Sequence, residues 1–215
     1  MASCKPRVII ASRNQGKIAE FHQLLQGLDV EVLSLTDISG LPEVAETGAT
    51  FQENALLKAR AVAGTTGLVA VADDSGLEVD YLHGAPGIYS SRYAGPERDD
   101  AANLRKLLGA LDGVPTRRRT ARFRCVIAIV TPAGDEYLSE GVCEGRITTA
   151  PRGGEGFGYD PVFLMPSLGQ TFAELGAPVK NRISHRAQAM INARGILVSL
   201  LKSEMEGAED VGGRP

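Results

Sequence analysis

Two adjacent acids, Asp73 and Asp74, follow the apolar run LVAVA and precede Ser75 and Gly76. Acids at the end of a buried strand lie at the rim of a sheet, where α/β proteins bind ligands. Adjacent side chains of an extended chain point in different directions, so one carboxylate can hold magnesium or a water while the other makes structural bonds. An Asp-Ser-Gly turn is the alternative, and the strand-end position favours function.

A polar turn, SRNQGK, runs from Ser12 to Lys17 between an apolar run and a helix-like pattern. The start of a helix presents unpaired N–H groups that attract anions, and Asn14, Gly16 and Lys17 suit a phosphate. The turn is not a Walker A loop, because Ala11 occupies the first glycine position. An ordinary strand–turn–helix joint explains the same residues equally well.

Charged residues around the next helix carry weaker functional signals. Glu46 lies in a loop, where a solvated acid is the better explanation. Glu53 is explained by a capping box with Thr50. Lys58 lies in an alanine- and leucine-rich helix, where it either extends to solvent or reaches a phosphate, and the first interpretation is favoured.

The loop GGEGFGYDP, residues 153–161, contains four glycines and two aromatic residues. Phe157 or Tyr159 could lie over a flat heterocycle, and Asp160 could accept hydrogen bonds from ring N–H groups. The loop does not fit G-x-G-x-x-G, because Tyr159 stands at the last glycine position. A mobile surface loop is the alternative, although such loops seldom need aromatic residues.

The segment KNRISHRAQA places four basic side chains around a predicted helix start at Ser184. They are Lys180, Arg182, His185 and Arg186. Cations in the first turn oppose the helix dipole, so a bound anion or an electron-rich ligand edge would explain them. Two surface cations with a small energetic penalty are the alternative.

The elements that must position these residues mix strands and helices. Strands are predicted at residues 7–11, 30–35, 68–72, 77–81, 120–131, 137–144 and 161–165. Helices are predicted at residues 17–26, 50–63, 99–111 and 184–201, followed by a polar tail at 202–215. Arg117–Arg119 looks like a solvated charge run. The pattern indicates an α/β fold with a mixed sheet, parallel near the N-terminus and antiparallel at a central hairpin.

Composition and charge argue against a nucleic-acid-binding, membrane-spanning or disulfide-rich protein. The chain has 215 residues, of which 43% are apolar, and a net charge of −3, which gives no general attraction to nucleic acid or anionic membranes. We expect no membrane span and no signal peptide. Cys4, Cys125 and Cys143 are widely spaced, which indicates neither zinc nor disulfides and favours a reducing cytoplasm, with Cys125 and Cys143 in the core.

Five segments in this order resemble the inosine triphosphate pyrophosphatases, or XTP/dITP diphosphatases. The segments are ASRNQGKIAEF, ETGATFQENALLKARA, VADDSGLEVDYLHGAPGIYSSRYAG, GGEGFGYDPVF and KNRISHRAQA. The resemblance extends over residues 8–201. It implies an elongated mixed sheet flanked by helices, with two lobes and a cleft in a single domain at 1–201, and usually a homodimer.

The resemblance also implies hydrolysis of ITP, dITP and XTP to the monophosphate and pyrophosphate, with magnesium or alternatively manganese. Asp74 would accept the proton and bind the metal, and Glu46 would be the second metal ligand. The substrate-binding set would be Ser12, Arg13, Asn14, Gln15, Gly16, Lys17, Lys58, Ser75, Phe157, Gly158, Tyr159, Asp160, Lys180, His185 and Arg186. The family often has threonine and glycine where Ser12 and Arg13 stand, so no contact from Arg13 is assumed.

Two alternatives to this function remain open at the level of sequence. One is a related pyrophosphatase for modified pyrimidine or methylated nucleotides, and the other is a nucleotide sensor without catalysis. The intact acids and Lys17 count against the sensor. Partners other than the nucleotide and a second copy of the chain, such as nucleic acid or membrane, are not expected.

Overall fold

The computed structural model describes residues 5–38, 41 and 44–211, with side chains as far as Leu201. Seven strands lie within these residues: β1 (Arg7–Ile10), β2 (Glu31–Ser34), β3 (Val69–Val79), β4 (Thr120–Val130), β5 (Glu136–Ile147), β6 (Phe163–Met165) and β7 (Gln170–Thr171). They form one sheet in the order β2-β1-β3-β4-β5-β6-β7. Strand β1 pairs in parallel with β2 and β3, whereas β6 pairs antiparallel with β5 and β7. The predicted mixed α/β sheet is confirmed.

In the described chain, four α-helices begin within two residues of the predicted starts, whereas two short helices at residues 172–175 and 177–183 were not predicted. They are α1 (Gln15–Leu24), α2 (Phe51–Thr66), α3 (Asp100–Ala110), α4 (Phe172–Leu175), α5 (Ala177–Ile183) and α6 (His185–Val211). Thr50 caps α2 as predicted, since its hydroxyl accepts the N–H of Glu53 at 3.1 Å. In the described part of the chain, no helix combines the length and apolar character that a membrane crossing requires.

The last helix is longer than the sequence pattern predicted. Helix α6 continues to Val211, past the expected end near Leu201. Residues 202–211 contain glutamate, lysine, methionine and alanine, which favour helix even where no apolar stripe continues. The predicted polar tail is therefore helical to Val211, and residues 212–215 lie outside the described residues.

Strand β3 corrects the prediction for the acidic pair. Two short strands were expected, with Asp73 and Asp74 at the end of the first. The structure instead has one strand, Val69–Val79, which continues through Asp73-Asp74-Ser75-Gly76. Pairing with neighbouring strands outweighs the low β-propensity of aspartate and glycine. The acids lie inside a strand and not at its end.

The chain divides into two compact units. Unit 1 comprises the described residues within Met1–Asp73, Ile127–Ser139 and Met190–Pro215. Its strand β1 has three consecutive buried side chains, Val8, Ile9 and Ile10, as expected for a parallel strand covered on both faces.

Unit 2 comprises Asp74–Val126 and Glu140–Ala189. Leu107 and Leu111 of the α3 segment are buried in its core, and Leu104 and Leu108 pack against that core, which confirms the predicted apolar face of α3. Cys125 and Cys143 are buried, as expected. Cys4 lies outside the described residues.

Arg117 and Arg118 are exposed, as expected for the predicted solvated charge run at 117–119, but Arg119 is not. Its side chain is buried, with 4% of the residue exposed. The guanidinium donates to the carbonyls of Leu111 at 2.7 Å, Val114 at 2.9 Å and Thr148 at 2.9 Å. A guanidinium that satisfies carbonyls at the end of α3 can be buried at low cost, because each donor finds an acceptor.

Candidate functional site

The polar turn before α1 organises the start of that helix. Asn14 is the N-cap, and its side-chain oxygen accepts the N–H of Lys17 at 3.0 Å. The hydroxyl of Ser12 accepts the N–H of Asn14 at 3.2 Å. Gln15 and Gly16 are the first helical residues, where N–H groups have no intrahelical acceptor. The turn is thus a capped strand–helix joint, and its helix start retains the properties of an anion site.

Arg13 has a structural contact in this turn. Its guanidinium donates to the carbonyl oxygen of Leu41 at 2.7 Å. The side chain of Leu41 is itself buried. Arg13 therefore fastens the loop after β2 to the turn, a role that the sequence did not indicate.

Asp73 pairs with the lysine of the turn. The Lys17 ammonium lies 3.0 Å from Oδ2 of Asp73, whose side chain is almost completely buried. A buried carboxylate needs such a partner, because an unpaired one would be strongly destabilising. One acid of the pair thus makes structural bonds, as the alternation of side chains predicted, and it holds Lys17 beside the start of α1.

Lys58 and Glu46 form a second ion pair in unit 1, with Nζ and Oε1 3.2 Å apart. The favoured interpretation of Lys58 as a side chain extending to solvent is wrong, because the loop that carries Glu46 covers it. That loop is attached to α2 by the N–H of Gly48, which donates to Oδ1 of Asn54 at 2.8 Å.

In unit 2, Asp74 and Ser75 lie on β3, and Asp74 is buried. Nη2 of Arg186 lies 3.3 Å from the hydroxyl of Ser75. Arg186 is 1% exposed, so the alternative of two surface cations at the start of α6 is wrong. A fully buried guanidinium has five N–H donors to satisfy, which makes it a strong reader of acceptor groups.

Asp160 holds the glycine-rich loop in place through its carboxylate. Its Oδ2 accepts the N–H of Phe157 at 3.0 Å and lies 2.6 Å from Nζ of Lys180. Gly156, with φ +81°, is required here, because a Cβ on it would lie 2.1 Å from that oxygen. This oxygen of Asp160 is committed to the loop and to Lys180, whereas the sequence suggested that it would receive ring N–H groups of a ligand.

Phe157 is the half-buried aromatic residue of the loop and lies among cations. Nζ of Lys180 lies 4.6 Å from the ring centroid, and Cζ of Arg186 lies 6.0 Å from it. These distances fit cation–π contacts. The ring, lysine and arginine form the candidate platform for a flat ligand.

Tyr159 belongs to the core of unit 2. It is 5% exposed, and its hydroxyl donates to the carbonyl of Ser90 at 2.8 Å. Burial raises the pKa of Tyr159, and nearby Tyr93 and Asp100 raise it further, so the phenol remains a neutral donor. The structure therefore gives Tyr159 a role in anchoring the loop.

Gly158 receives support that the sequence did not reveal. Its N–H donates to Oδ2 of Asp100, the first residue of α3, at 2.8 Å. The neighbouring Asp99 caps α3 as predicted, by accepting the N–H groups of Ala101 and Ala102. Two adjacent aspartates at a helix start look alike in the sequence, and only the fold distinguishes their roles.

His185 is anchored by its ring. Ser184 caps α6 as predicted, since its hydroxyl accepts the N–H of Ala187 at 3.1 Å. The imidazole of His185 stacks on Phe123, with centroids 4.7 Å apart and an interplanar angle of 15°. His185 is buried, so this stacking fixes the orientation of the first turn of α6.

The predicted residues divide into two sets, one in each unit, which we call the unit 1 cluster and the unit 2 cluster. The unit 1 cluster contains Ser12, Asn14, Gln15, Gly16, Lys17, Glu46, Lys58 and Asp73. The unit 2 cluster contains Asp74, Ser75, Phe157, Gly158, Asp160, Lys180, His185 and Arg186. Arg13 and Tyr159 act as supports.

The donor types present fit a hard cation. Among the described residues, no three His, Cys, Asp or Glu side chains gather into a metal-binding group. Magnesium commonly takes one or two carboxylates from a protein and completes its shell with waters and substrate phosphates. Glu46 in unit 1 and Asp74 in unit 2 each carry carboxylate oxygens of that kind.

In unit 1, a capped helix start with a nearby lysine suits an anionic group, and in unit 2 a cation-flanked aromatic ring suits a flat ligand. These are features of an α/β protein that binds small molecules. The Ham1 family pattern matches residues 8–195. The chain belongs to the Ham1 family, and the resemblance drawn from the motifs is confirmed.

Relatives and solved structures agree with this assignment. A dITP/XTP pyrophosphatase of Bacillus licheniformis is 53% identical over 190 residues, which cover 88% of this chain and 97% of the relative. A dITP/XTP pyrophosphatase of Shouchella clausii is 49% identical over 200 residues, covering 93% and 96%. The Ham1 protein of Staphylococcus aureus matches with a TM-score of 0.78 and 41% identity, covering 92% of this chain and 99% of that one. A HAM1 protein of Coxiella burnetii matches with a TM-score of 0.82 and 44% identity, covering 90% and 99%.

Proposed function

We propose that this protein hydrolyses ITP, dITP and XTP to the nucleoside monophosphate and pyrophosphate, and so removes deaminated purine nucleotides. The observation that carries the proposal is the buried Arg186, which lies beside Ser75 and the Phe157 ring in a chain about half identical to dITP/XTP pyrophosphatases. A buried guanidinium beside an aromatic platform suits a ring that presents oxo groups.

The triphosphate is proposed to bind the unit 1 cluster. Ser12, Asn14 and the first N–H groups of α1 offer donors, and Lys17 and Lys58 offer positive charge. Phosphates are favoured at helix starts because unpaired N–H groups and the helix dipole act together.

Asp74 is proposed as the proton acceptor. A water attacks the α-phosphorus and transfers a proton to the Asp74 carboxylate as the α–β anhydride bond breaks and pyrophosphate departs. Glu46 and Asp74 are each proposed as magnesium ligands, with manganese as an alternative metal. The metal, when bound with substrate, neutralises phosphate charge. The lysines of the unit 1 cluster stabilise the charge that develops on the leaving pyrophosphate.

Base preference follows from the donor character of the unit 2 cluster. Hypoxanthine and xanthine present a 6-oxo acceptor, whereas adenine presents a 6-amino donor. Arg186 can donate to the 6-oxo group of hypoxanthine or xanthine, but it would face another donor on adenine. This mismatch costs about 1–3 kcal/mol or more. Replacing Arg186 with alanine should reduce the ratio of kcat/KM for ITP to that for ATP. An unchanged ratio would contradict this account.

The direct test is pyrophosphate release from ITP, dITP, XTP, GTP, ATP and modified pyrimidine triphosphates, with and without magnesium. We expect turnover of the deaminated purines, and turnover that requires the metal. Preferential cleavage of modified pyrimidines would identify a related pyrophosphatase, and binding without release would identify a sensor.

The catalytic assignment is tested by Asp74→Asn. The amide cannot accept the proton, so kcat should fall by at least about 10²-fold while the fold persists. Asp80→Asn removes a carboxylate at the surface of unit 2, where Asp80 pairs with Arg122, and serves as the matched control. Near-normal turnover of Asp74→Asn would refute the assignment.

A homodimer is proposed from the family resemblance, and a cytoplasmic location from the spacing of the cysteines. Light scattering of the purified chain tests the first. Fractionation of cells that produce it tests the second.

A further inference from the structure

Strand β5 and helix α6 approach each other unusually closely within unit 2. A Cβ atom on Gly141 would lie 2.1 Å from the carbonyl oxygen of His185, 2.4 Å from the amide nitrogen of Ala189 and 3.0 Å from Cβ of Gln188. Gly141 is buried inside β5, and it does not have the positive φ that would itself require glycine. The residue is glycine because the backbone of the helix occupies the space of a side chain.

The atoms at this contact belong to the first turn of α6. The carbonyl of His185 and the amide of Ala189 are the acceptor and donor of an i→i+4 helical hydrogen bond. Both atoms are backbone and cannot rotate away as a flexible side chain could. A methyl group at Gly141 must therefore move the first turn away from β5 or break the hydrogen bond between Ala189 and His185.

This turn carries the unit 2 residues to which base recognition is attributed. His185 stacks on Phe123, and Arg186 contacts Ser75 at 3.3 Å and lies over the Phe157 ring. Packed side chains on both sides leave the turn little freedom to move without losing these contacts. A displacement of this turn would therefore move Arg186 relative to the Phe157 ring.

We propose that Gly141 is a positioning residue for base selectivity, which acts through Arg186 by letting α6 lie directly on the backbone of β5. The proposal rests on the function proposed above, and nothing in the sequence motifs singled out this glycine. Gly141 touches no reacting group. Its effect is therefore expected on the discrimination between bases and not on the chemical step.

Gly141→Ala should lower the ratio of kcat/KM for ITP to kcat/KM for ATP by about tenfold, because small misplacements of a positioned group are costly. The ratio is independent of the fraction of enzyme that is folded. Gly145→Ala is the matched control on the same strand. Its Cβ would meet Phe163 and Leu164 of β6 and no backbone atom of α6 among its nearest neighbours. Phe163 reaches α6 only indirectly, through Phe123 and its stacking on His185, so the ratio should shift clearly less than in Gly141→Ala.

A second pair of variants tests the same contact from the helix side. Gln188 is exposed, and its Cβ faces Gly141, so Gln188→Val adds a branch at the contact whereas Gln188→Ala does not. We expect a smaller shift of the ratio with valine, in the same direction, and none with alanine. If Gly141→Ala does not fold, this pair of variants tests whether the contact between β5 and α6 sets the base preference.

Two further measurements link the effect to its cause. In an Arg186→Ala background, Gly141→Ala should leave the ratio unchanged. Peptides spanning 185–190 should lose more protection from hydrogen exchange in Gly141→Ala than in Gly145→Ala, and this readout needs no catalysis.

The proposal is overturned by a wild-type ratio in folded Gly141→Ala, by an equal shift in Gly145→Ala, or by a full shift in the Arg186→Ala background. Failure of the proposed function gives a different result, namely a wild-type protein that releases no pyrophosphate from ITP. The hydrogen-exchange comparison still decides whether Gly141 positions the turn in that case.

Discussion

Replacing Lys180 with methionine should strongly destabilise the protein, because it leaves the Asp160 carboxylate buried without its charged partner. The two groups lie 2.6 Å apart, with side-chain exposures of 6% and 4%. Removing one partner of a buried pair costs about 3–5 kcal/mol. Because the N–H of Phe157 still donates to Asp160, we expect a loss near the lower limit, about 3 kcal/mol.

The double variant Asp160→Asn, Lys180→Met separates charge from packing. Asparagine keeps an oxygen that can accept the N–H of Phe157, and methionine keeps most of the apolar length of lysine. With neither charge buried, we expect the double variant to be more stable than Lys180→Met by about 2 kcal/mol. The matched surface control is Arg60→Met beside Glu136, where side-chain exposures of 52% and 34% predict a loss below about 1 kcal/mol.

The free energy of unfolding is measured by urea denaturation followed by circular dichroism, and KM for ITP is measured on the same preparations. Lys180 and Asp160 are also proposed to support the base platform, so KM for ITP should rise in Lys180→Met. The double variant should regain stability, but its KM should remain above the wild-type value. A double variant no more stable than Lys180→Met would refute the reasoning about uncompensated charge. A KM that returns to the wild-type value would show that the pair is structural only.

Three further predictions concern single groups. Burial raises the pKa of the Cys143 thiol to about 11. The stability contributed by the neutral buried thiol is complete below pH 9 and should be lost as the pH rises through 11. The free energy of unfolding of the wild type, measured by urea denaturation across this range, should therefore fall by up to about 3 kcal/mol more than that of Cys143→Ala. Asp100→Ala removes the acceptor for the N–H of Gly158 and should raise KM for ITP about fivefold with kcat within about twofold, in steady-state assays. Asp73→Asn should loosen Lys17 and lower kcat/KM about tenfold for every triphosphate, whatever its base, so a base-dependent effect would contradict the phosphate role.

The parts of the fold that local rules govern were predictable from sequence. The capping pattern at Thr50 and the cap at Ser184 gave the starts of α2 and α6 correctly, because a single side chain satisfies nearby N–H groups. The spacing of the leucines in α3 predicted its buried face correctly, because residues three and four apart lie on one side of a helix. The family resemblance added the order of the site motifs and was confirmed.

Features set by distant parts of the chain were not predictable. The strand through Asp73 and Asp74 is maintained by pairing with neighbouring strands, against the propensity of its own residues. Arg119 is buried because three carbonyls from different segments satisfy its donors. Gly141 is required by a helix that begins more than forty residues later in the sequence. None of these contacts has a signature in the local sequence.

The cations of the site already lie beside carboxylates in the folded chain. The lysine–carboxylate pairs are Lys17–Asp73 at 3.0 Å, Lys58–Glu46 at 3.2 Å and Lys180–Asp160 at 2.6 Å. These acids offset the cost of partly burying the three ammonium groups, and each lysine–carboxylate pair carries no net charge. A triphosphate that binds these lysines either replaces the carboxylates as their partner or is added to the existing lysine–carboxylate pairs. The electrostatic gain on binding is therefore a difference between two sets of attractions, and the acids contribute chiefly by fixing where each ammonium group lies.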